Sequence, residues 1–249
     1  VTALLIPFST GFRRCERGVG SGMARHDLAV QSERAARIDA CLAAGAPAHL
    51  MGVGGVGMAG LARLLLDRGV SVSGCDASSG RLTEWLAVCG VSVAQGHDPA
   101  HVTQDTGWLI RSAAVPVRHP EALRAAELGL PVFARGEVLP RIVRDRFAVA
   151  VAGTHGKTTT SGFIAQILKA CGRDPSWCIG GELDVLGGVA GTGGGPHIVV
   201  EADESDGTLA LYEPDVAVVT NVEFDHMEKL ANVEAFRDVF RAFARRARC

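Results

Sequence analysis

The chain has 249 residues, 47% of them hydrophobic and 5% aromatic, with a formal net charge of −2. That is apolar material enough for one large or two ordinary globular domains, and it excludes the basic field that a nucleic-acid partner requires. Seven cysteines (15, 41, 75, 89, 171, 178 and 249) form no C-x-x-C pair and no close Cys/His cluster in the sequence, so neither a disulfide framework nor a structural zinc site is indicated, and a reducing cytosol is expected.

Residues 1–22 place an apolar run before their arginines, the reverse of a secretory leader, and lack helix or strand periodicity. They precede Met23 and are expected to lie outside the natural reading frame. No apolar run approaches membrane-spanning length, so no membrane partner is expected. Gln31 to Ala44 reads as one amphipathic helix. From residue 47 short β-branched runs alternate with helical stretches: strands at 48–53, 70–75, 91–95, 107–112, 131–133, 147–152, 197–201 and 215–219, helices near 57–68, 80–88, 119–128, 157–171 and 233–247. This alternation predicts parallel sheets wrapped by helices, an α/β fold. The segment 140–146 interrupts the pattern before a fresh strand and marks a domain boundary near 145. The run GGVAGTGGG, 187–195, reads as a flexible loop, and the arginines between Arg241 and Arg248 as the solvated face of a helix.

The first strand runs into Gly52-Val53-Gly54-Gly55-Val56-Gly57, which satisfies G-x-G-x-x-G between a strand and a helix. Residues without side chains let the backbone approach a diphosphate, and the helix N-terminus supplies N–H groups and partial positive charge. The following strand ends at Asp76, at the spacing where an acid meets a ribose hydroxyl in dinucleotide folds. A plain strand-to-helix turn is the simpler alternative, but the strand before and the helix after favour a diphosphate site; the motif alone does not choose among NAD, FAD and a UDP-sugar.

The second glycine loop, Gly153-Thr154-His155-Gly156-Lys157-Thr158-Thr159, lies between an apolar strand and a helix but has Val151 where a G-x-x-x-x-G-K-[ST] loop has its first glycine. The context is still that of a phosphate loop. Amides from Gly153 to Thr158 can surround phosphate oxygens, Lys157 can offset their charge, and the Thr158 hydroxyl can join a Mg²⁺ shell. Two later strands end in acids, Glu201-Ala202-Asp203-Glu204-Ser205-Asp206 and Thr220-Asn221-Val222-Glu223-Phe224-Asp225-His226. A solvated acidic loop is the usual meaning of such a run, but two acidic strand ends after a phosphate loop favour a metal–nucleotide site. His226 is either a second metal ligand or a core histidine.

Together GTHGKTTT, EADESD and TNVEFDHM, with GVGGVGMAG upstream, resemble the Mur ligase family over about residues 47–245. The resemblance implies ATP-dependent amide ligation in peptidoglycan precursor synthesis, in the cytoplasm, with L-alanine joined to UDP-N-acetylmuramate. It implies that Gly153, Thr154, His155, Gly156, Lys157, Thr158 and Thr159 hold ATP. Thr158 and Glu201 then hold Mg²⁺, His226 serves a second Mg²⁺, and Lys157, Glu201 and His226 carry catalysis. It assigns Gly52, Gly54, Gly55, Gly57, Asp76, His97 and Ser112 to the UDP-sugar. The expected architecture is an N-terminal extension with one helix over 1–46, a Rossmann-like UDP-sugar domain over 47–145, and a truncated P-loop ATPase α/β domain over 146–249. Because the family has a third domain, the expectation is a fragment that binds the sugar nucleotide without forming the amide. A recycling ligase that attaches a ready-made tripeptide fits VEFDH as well. A UDP-sugar-binding module without turnover is the reading from another class; an NAD oxidoreductase leaves the second loop unexplained.

Overall fold

The computed structural model describes residues 25–204, 207–223 and 233–248. The expectations for residues 1–22 and for Phe224, Asp225 and His226 lie outside the described residues. An opening helix, α1 (Arg25–Ala43), is tied to the body by ion pairs from Arg34 to Glu137 and from Asp39 to Arg141, with Ile38 buried beneath. Among the described residues no helix is long and apolar enough to cross a membrane.

Strands β1 (Ala48–Met51), β2 (Val72–Asp76), β3 (Ser92–Gln95), β4 (Trp108–Arg111) and β5 (Val132–Ala134) form one sheet in the order β3-β2-β1-β4-β5, every pair parallel. The chain runs outward from β1 to β3 and then crosses to the other side of β1, so a crevice opens at the carboxyl ends of β1 and β4. All four residues of β1 are buried, as a central parallel strand covered on both faces requires. Helix α2 (Val56–Leu66) covers one face, beside α3 (Arg81–Val88), and α4 (Pro120–Glu127) packs Ala122 and Ala125 against Met51, Cys75 and Leu109 on the other.

The second sheet contains β6 (Phe147–Ala152), β7 (Ser176–Leu183), β8 (Gly188–Gly191), β9 (His197–Glu201) and β10 (Val216–Val219) in the order β10-β6-β9-β7-β8. All its pairs are parallel except β7 with β8, which are antiparallel. Helix α6 (Lys157–Ala170) follows β6, and α7 (Val233–Arg245) buries Phe236, Phe240 and Phe243 near Tyr212. Arg241 of α7 faces outward and pairs with Glu234 and Asp238, as a solvated helix face should.

Three stretches depart from the expected pattern. The segment expected to interrupt the fold is helix α5 (Arg135–Val143), in spite of Pro140. The Glu137 carboxylate caps it by accepting the Ala134 amide at 2.8 Å, and Val138, Leu139, Ile142 and Val143 are buried at helical spacing. The glycine run expected to be a loop contains β8, whose Val189 and Ala190 are buried; a Cβ at Gly191 would lie 2.6 Å from the Trp177 ring. That ring is why glycine is needed there. Strand β7 was hidden by its own pair, Gly180 and Gly181, which depress strand propensity.

The two sheets meet through α2, which packs against β2 and α3 on one side and β7 and β8 on the other. One apolar cluster accordingly contains Leu50, Leu61 and Leu65 together with Cys178, Val189 and Ile198. Contact is closest at Gly60, where a Cβ would fall 2.7 Å from Cys178 Sγ. Gly60→Val is therefore expected to destabilise the chain by about 1–3 kcal/mol through overpacking, lowering the thermal midpoint by roughly 2–12 °C. Gly80→Ala is the control, because nothing lies within 4 Å of its added carbon. Calorimetric melting of both variants checks this; equal midpoints would mean that the sheets do not pack through Gly60.

Candidate functional site

The first glycine loop is shaped by the strand beside it. Gly52, at φ 75°, and Val53 both donate their amides to the Cys75 carbonyl, at 2.8 and 3.0 Å. The Gly54 amide donates to Asp76 Oδ2 at 2.8 Å, and a Cβ at Gly54 would sit 2.9 Å from that oxygen. Asp76 thus holds the loop through Gly54, and its other oxygen accepts the Ser78 amide at 3.2 Å. Ser112, after β4, comes alongside: its amide reaches the Met51 carbonyl, and a Cβ at Gly52 would be 3.1 Å from Ser112 Cβ. Gly55 caps α2 and carries no side chain to accept from the first-turn amides. Gly57 faces Arg135, whose guanidinium a Cβ there would meet at 2.9 Å. Gly52, Gly54, Gly55, Gly57, Asp76 and Ser112 are therefore one constellation.

His97 points elsewhere. Its Nδ1 lies 3.2 Å from Cys75 Sγ and 3.3 Å from Glu121 Oε2, and its ring stands edge-on to His119 at 4.9 Å.

The second loop has little room and strong outside support. Gly153 and Gly156 have φ of 133° and 80°, and a Cβ at Gly153 would overlap Thr220 Oγ1 at 2.1 Å. The end of β10 braces it. Asn221 accepts the Thr154 amide on its carbonyl (3.1 Å) and the His155 amide on its side chain (2.9 Å), then donates to the His155 carbonyl at 3.0 Å. Thr220 Oγ1 donates to the same carbonyl at 2.7 Å, and the Thr154 hydroxyl bonds the Glu223 backbone. Thr159 is exposed in the first turn of α6.

The acids at the end of β9 have separate partners. Glu201 Oε2 accepts the Thr158 hydroxyl at 2.8 Å and the Gly180 amide at 2.9 Å. A side chain at 180 would strike that carboxylate, since its Cβ would be 2.4 Å away. Asp203 pairs with Arg135 at 3.2 Å, and Glu204 with Lys157 at 3.0 Å. Lys157 Nζ also donates to the Gly153 carbonyl at 2.5 Å, while Glu204 Oε2 is buried without a partner among the described residues. A plain solvated acidic loop would not divide its carboxylates in this way. Glu204, Thr220 and Asn221 lie in the two strand-end runs singled out in the sequence but were not assigned roles there, and Gly180 and Arg135 were missed. The signal for Gly180 was its place in a glycine pair inside β7, a mark of close approach by another group.

Two α/β sheets, each with a glycine loop between a strand and a helix, the second with acids from the neighbouring strand β9 beside it, place the chain in the α/β class with two glycine-loop sheets. Comparison with known proteins narrows the class. Residues 47–147 match the model of the Mur ligase family catalytic domain, and residues 151–248 that of the Mur ligase middle domain. A UDP-N-acetylmuramate–L-alanine ligase of Gloeobacter violaceus is 44% identical over 207 residues, 83% of this chain and 45% of that protein. The crystal structure of a UDP-N-acetylmuramate–alanine ligase from Thermotoga maritima superposes with a TM-score of 0.77 at 29% identity, over 81% of this chain and 47% of the other. The UDP-N-acetylmuramate:L-alanyl-gamma-D-glutamyl-meso-diaminopimelate ligase from Neisseria meningitides gives 0.73 at 30% identity, over 80% and 68%. The chain belongs to the Mur ligase family, and it spans less than half the length of the curated relative it matches.

The bracing by β10 has a direct consequence. Asn221→Ala removes two side-chain bonds to the loop, worth about 1–2 kcal/mol together, so amides 154–156 should exchange roughly 5- to 30-fold faster. Hydrogen–deuterium exchange measures this; unchanged protection would mean that β10 does not brace the loop.

Proposed function

We infer that this chain forms the sugar-nucleotide and ATP sites of an ATP-dependent amide ligase of peptidoglycan precursor synthesis, of the type that joins L-alanine to UDP-N-acetylmuramate. The observation that carries this reading is the meeting of Thr158, Glu201 and Gly180 beside Lys157. Neighbouring oxygens around Mg²⁺ in octahedral geometry lie about 2.9 Å apart, and Thr158 Oγ1 and Glu201 Oε2 are 2.8 Å apart. The residues present fit that ion. The orphaned Glu204 Oε2 adds a further oxygen without a proton donor at the same loop. When bound, Mg²⁺ would be held by Thr158 and Glu201 and would offset the charge of the phosphates.

In the proposed reaction a carboxylate oxygen of the sugar nucleotide attacks the γ-phosphorus of ATP as the bond to the β-phosphate oxygen breaks and ADP leaves. The amine of the acceptor then attacks the acyl phosphate carbon, releasing inorganic phosphate and a proton. Both first reactants are anions, so most of the work is positioning and charge compensation. Lys157 transfers from Glu204 to the phosphates, while the amides of Gly153 and of Gly156 to Thr158, with Thr159 in the first helical turn, surround them; Thr154 and His155, whose amides Asn221 accepts, hold the loop in shape around the ATP. The amides at Gly52, Gly54, Gly55 and Gly57, with Ser112, are assigned the diphosphate of the sugar nucleotide. Asp76 shapes that loop from behind. His97 lines the same end of the sheet, and His226 keeps the second-magnesium role that the family resemblance gives it. We place the sugar nucleotide on residues 47–145 and ATP on 146–249. The proposed partners are small molecules, in the cytoplasm.

Transfer of a tripeptide is the second reading, favoured by the likeness to the Neisseria ligase. Titration calorimetry of the chain with UDP-N-acetylmuramate and with ATP plus Mg²⁺ tests the binding assignment, and a folded chain that ignores both ligands would end it. Ligation by the whole protein with L-alanine or tripeptide decides the acceptor.

Lys157→Ala should weaken ATP binding at least tenfold and lower ligation by about 100-fold or more, with sugar-nucleotide binding unchanged. Unaltered ATP affinity would remove Lys157 from the site. Glu201→Ala should raise the Mg²⁺ concentration needed for half-maximal ligation at least tenfold, because a carboxylate oxygen is lost from the ion's shell. An unshifted Mg²⁺ titration would leave Glu201 as a brace for Thr158 and Gly180 only.

A further inference from the structure

The face of the first sheet opposite α2 carries a cluster that neither glycine loop uses. His49 of β1, Cys75 of β2, His101 at the end of the 3-10 turn Pro99–His101 and Glu121 of α4 each bring one ligand atom to within 4.8 Å of the others. The four come from four elements, which is why no spacing in the sequence reveals them. Cys75 Sγ is 3.3 Å from both oxygens of Glu121, and His101 Nδ1 is 2.9 Å from Oε1. Cys75 and Glu121 are fully buried, and His49 is 2% exposed.

Two observations separate this cluster from an ordinary hydrogen-bonded core. His49 Nδ1 is fixed 2.9 Å from Ser73 Oγ, and Nε2 is buried with no hydrogen-bond partner among the described residues. An unsatisfied polar atom at such depth costs about 1–3 kcal/mol. An imidazole oriented through one nitrogen with the other left over is the arrangement metal-bound histidines adopt. The second observation is charge. Glu121 is an interior carboxylate whose ion-pair partners among the described residues are the three histidines 97, 101 and 119. Burial opposes its ionisation, but hydrogen bonds from His101, Cys75 and the Asp98 amide outweigh that and hold its pKa below the usual value. A divalent ion with one thiolate, one carboxylate and two neutral imidazoles sums to zero charge, which an interior site favours.

We propose that His49, Cys75, His101 and Glu121 bind one Zn²⁺ as a structural site. One thiolate among nitrogen and oxygen donors suits Zn²⁺ and not Mg²⁺ or Ca²⁺. Ligand atoms 2.0–2.3 Å from a tetrahedral ion lie roughly 3.3–3.8 Å apart, so the widest pair must close by about 1 Å. On binding, the Cys75 thiol proton leaves to solvent, and the proton between His101 and Glu121 moves to the far nitrogen of His101 or to solvent, so that the imidazole stays neutral. Four protein ligands leave no open position, so the site is structural. It clamps β1, β2 and α4 just below the turn where the Cys75 carbonyl holds Gly52 and Val53.

Co²⁺ tests the site directly, since tetrahedral thiolate-bound Co²⁺ has a sulfur-to-metal charge-transfer band and intense visible bands that an oxygen-bound ion at Thr158 and Glu201 lacks. Titrating the metal-free chain should develop these bands to one equivalent, Zn²⁺ should abolish them, and Zn²⁺ alone should raise the thermal midpoint. Cys75→Ser should lose the charge-transfer band and Cys89→Ser should keep it. Should Cys75→Ser fail to fold, as judged by circular dichroism, His49→Gln and Glu121→Gln should each lower Co²⁺ affinity at least tenfold. The proposal is overturned if the folded chain gives no charge-transfer band in excess Co²⁺, if the band survives Cys75→Ser, or if neither substitution of His49 nor of Glu121 weakens binding.

Discussion

The backbone from Gly153 to Gly156 is supported from outside, and the arrangement of the second sheet follows from that need. A loop that offers its amides to a ligand cannot spend them on regular secondary structure, so something else must hold its shape. Here the carboxyl end of β10 does so through Thr220, Asn221 and the Glu223 backbone. Because β10 and β9 flank β6 in parallel register, both neighbours deliver their carboxyl ends to the same edge as the loop. β10 brings the brace and β9 brings the charges. A glycine at 153 is the condition for both, since a side chain there would occupy the position of Thr220.

The same economy of space joins the two halves. α2 begins at the first glycine loop and ends against the second sheet, and it can lie that close because Gly60 meets Cys178 without a side chain. Arg135 adds a polar link, since it lies against Gly57 on one side and pairs with Asp203 on the other. A ligand that moves either partner changes the setting of the other, and linkage makes that influence mutual.

Much of this was readable in the residues. Strand and helix alternation located eight of the ten strands among the described residues, because parallel strands buried on both faces are apolar runs that end in loops of distinct composition. That Gly153 to Thr158 form a tight loop between a strand and a helix, and that Glu201 ends a neighbouring strand, was legible because each is dictated by local chemistry. What the sequence hid was what depends on distant neighbours. β7 went unread and β8 was read as a flexible loop because their glycines answer to Glu201 and to the Trp177 ring, contacts that no local pattern encodes. Pro140 concealed a helix whose start is fixed by Glu137. At Asp76 the spacing suggested a ribose contact, and it did not reveal that the fold also turns the carboxylate onto the Gly54 amide. Cys75, His49, His101 and Glu121 were scattered over 73 positions, 49 to 121, and only the sheet assembles them.

Lys157 rests on Glu204 and on the carbonyl of Gly153. A carboxylate attached to the same chain competes with any arriving anion at a high effective concentration, as tethered ligands do. Chloride or a lone phosphate must therefore displace an internal rival while offering few contacts in return. Under the function proposed above, a polyphosphate that also meets the free loop amides and Thr158 makes contacts enough to displace Glu204. On that reading the ion pair is a placeholder that screens the loop from the common anions of its surroundings and releases the lysine to a ligand long enough to use the whole cradle.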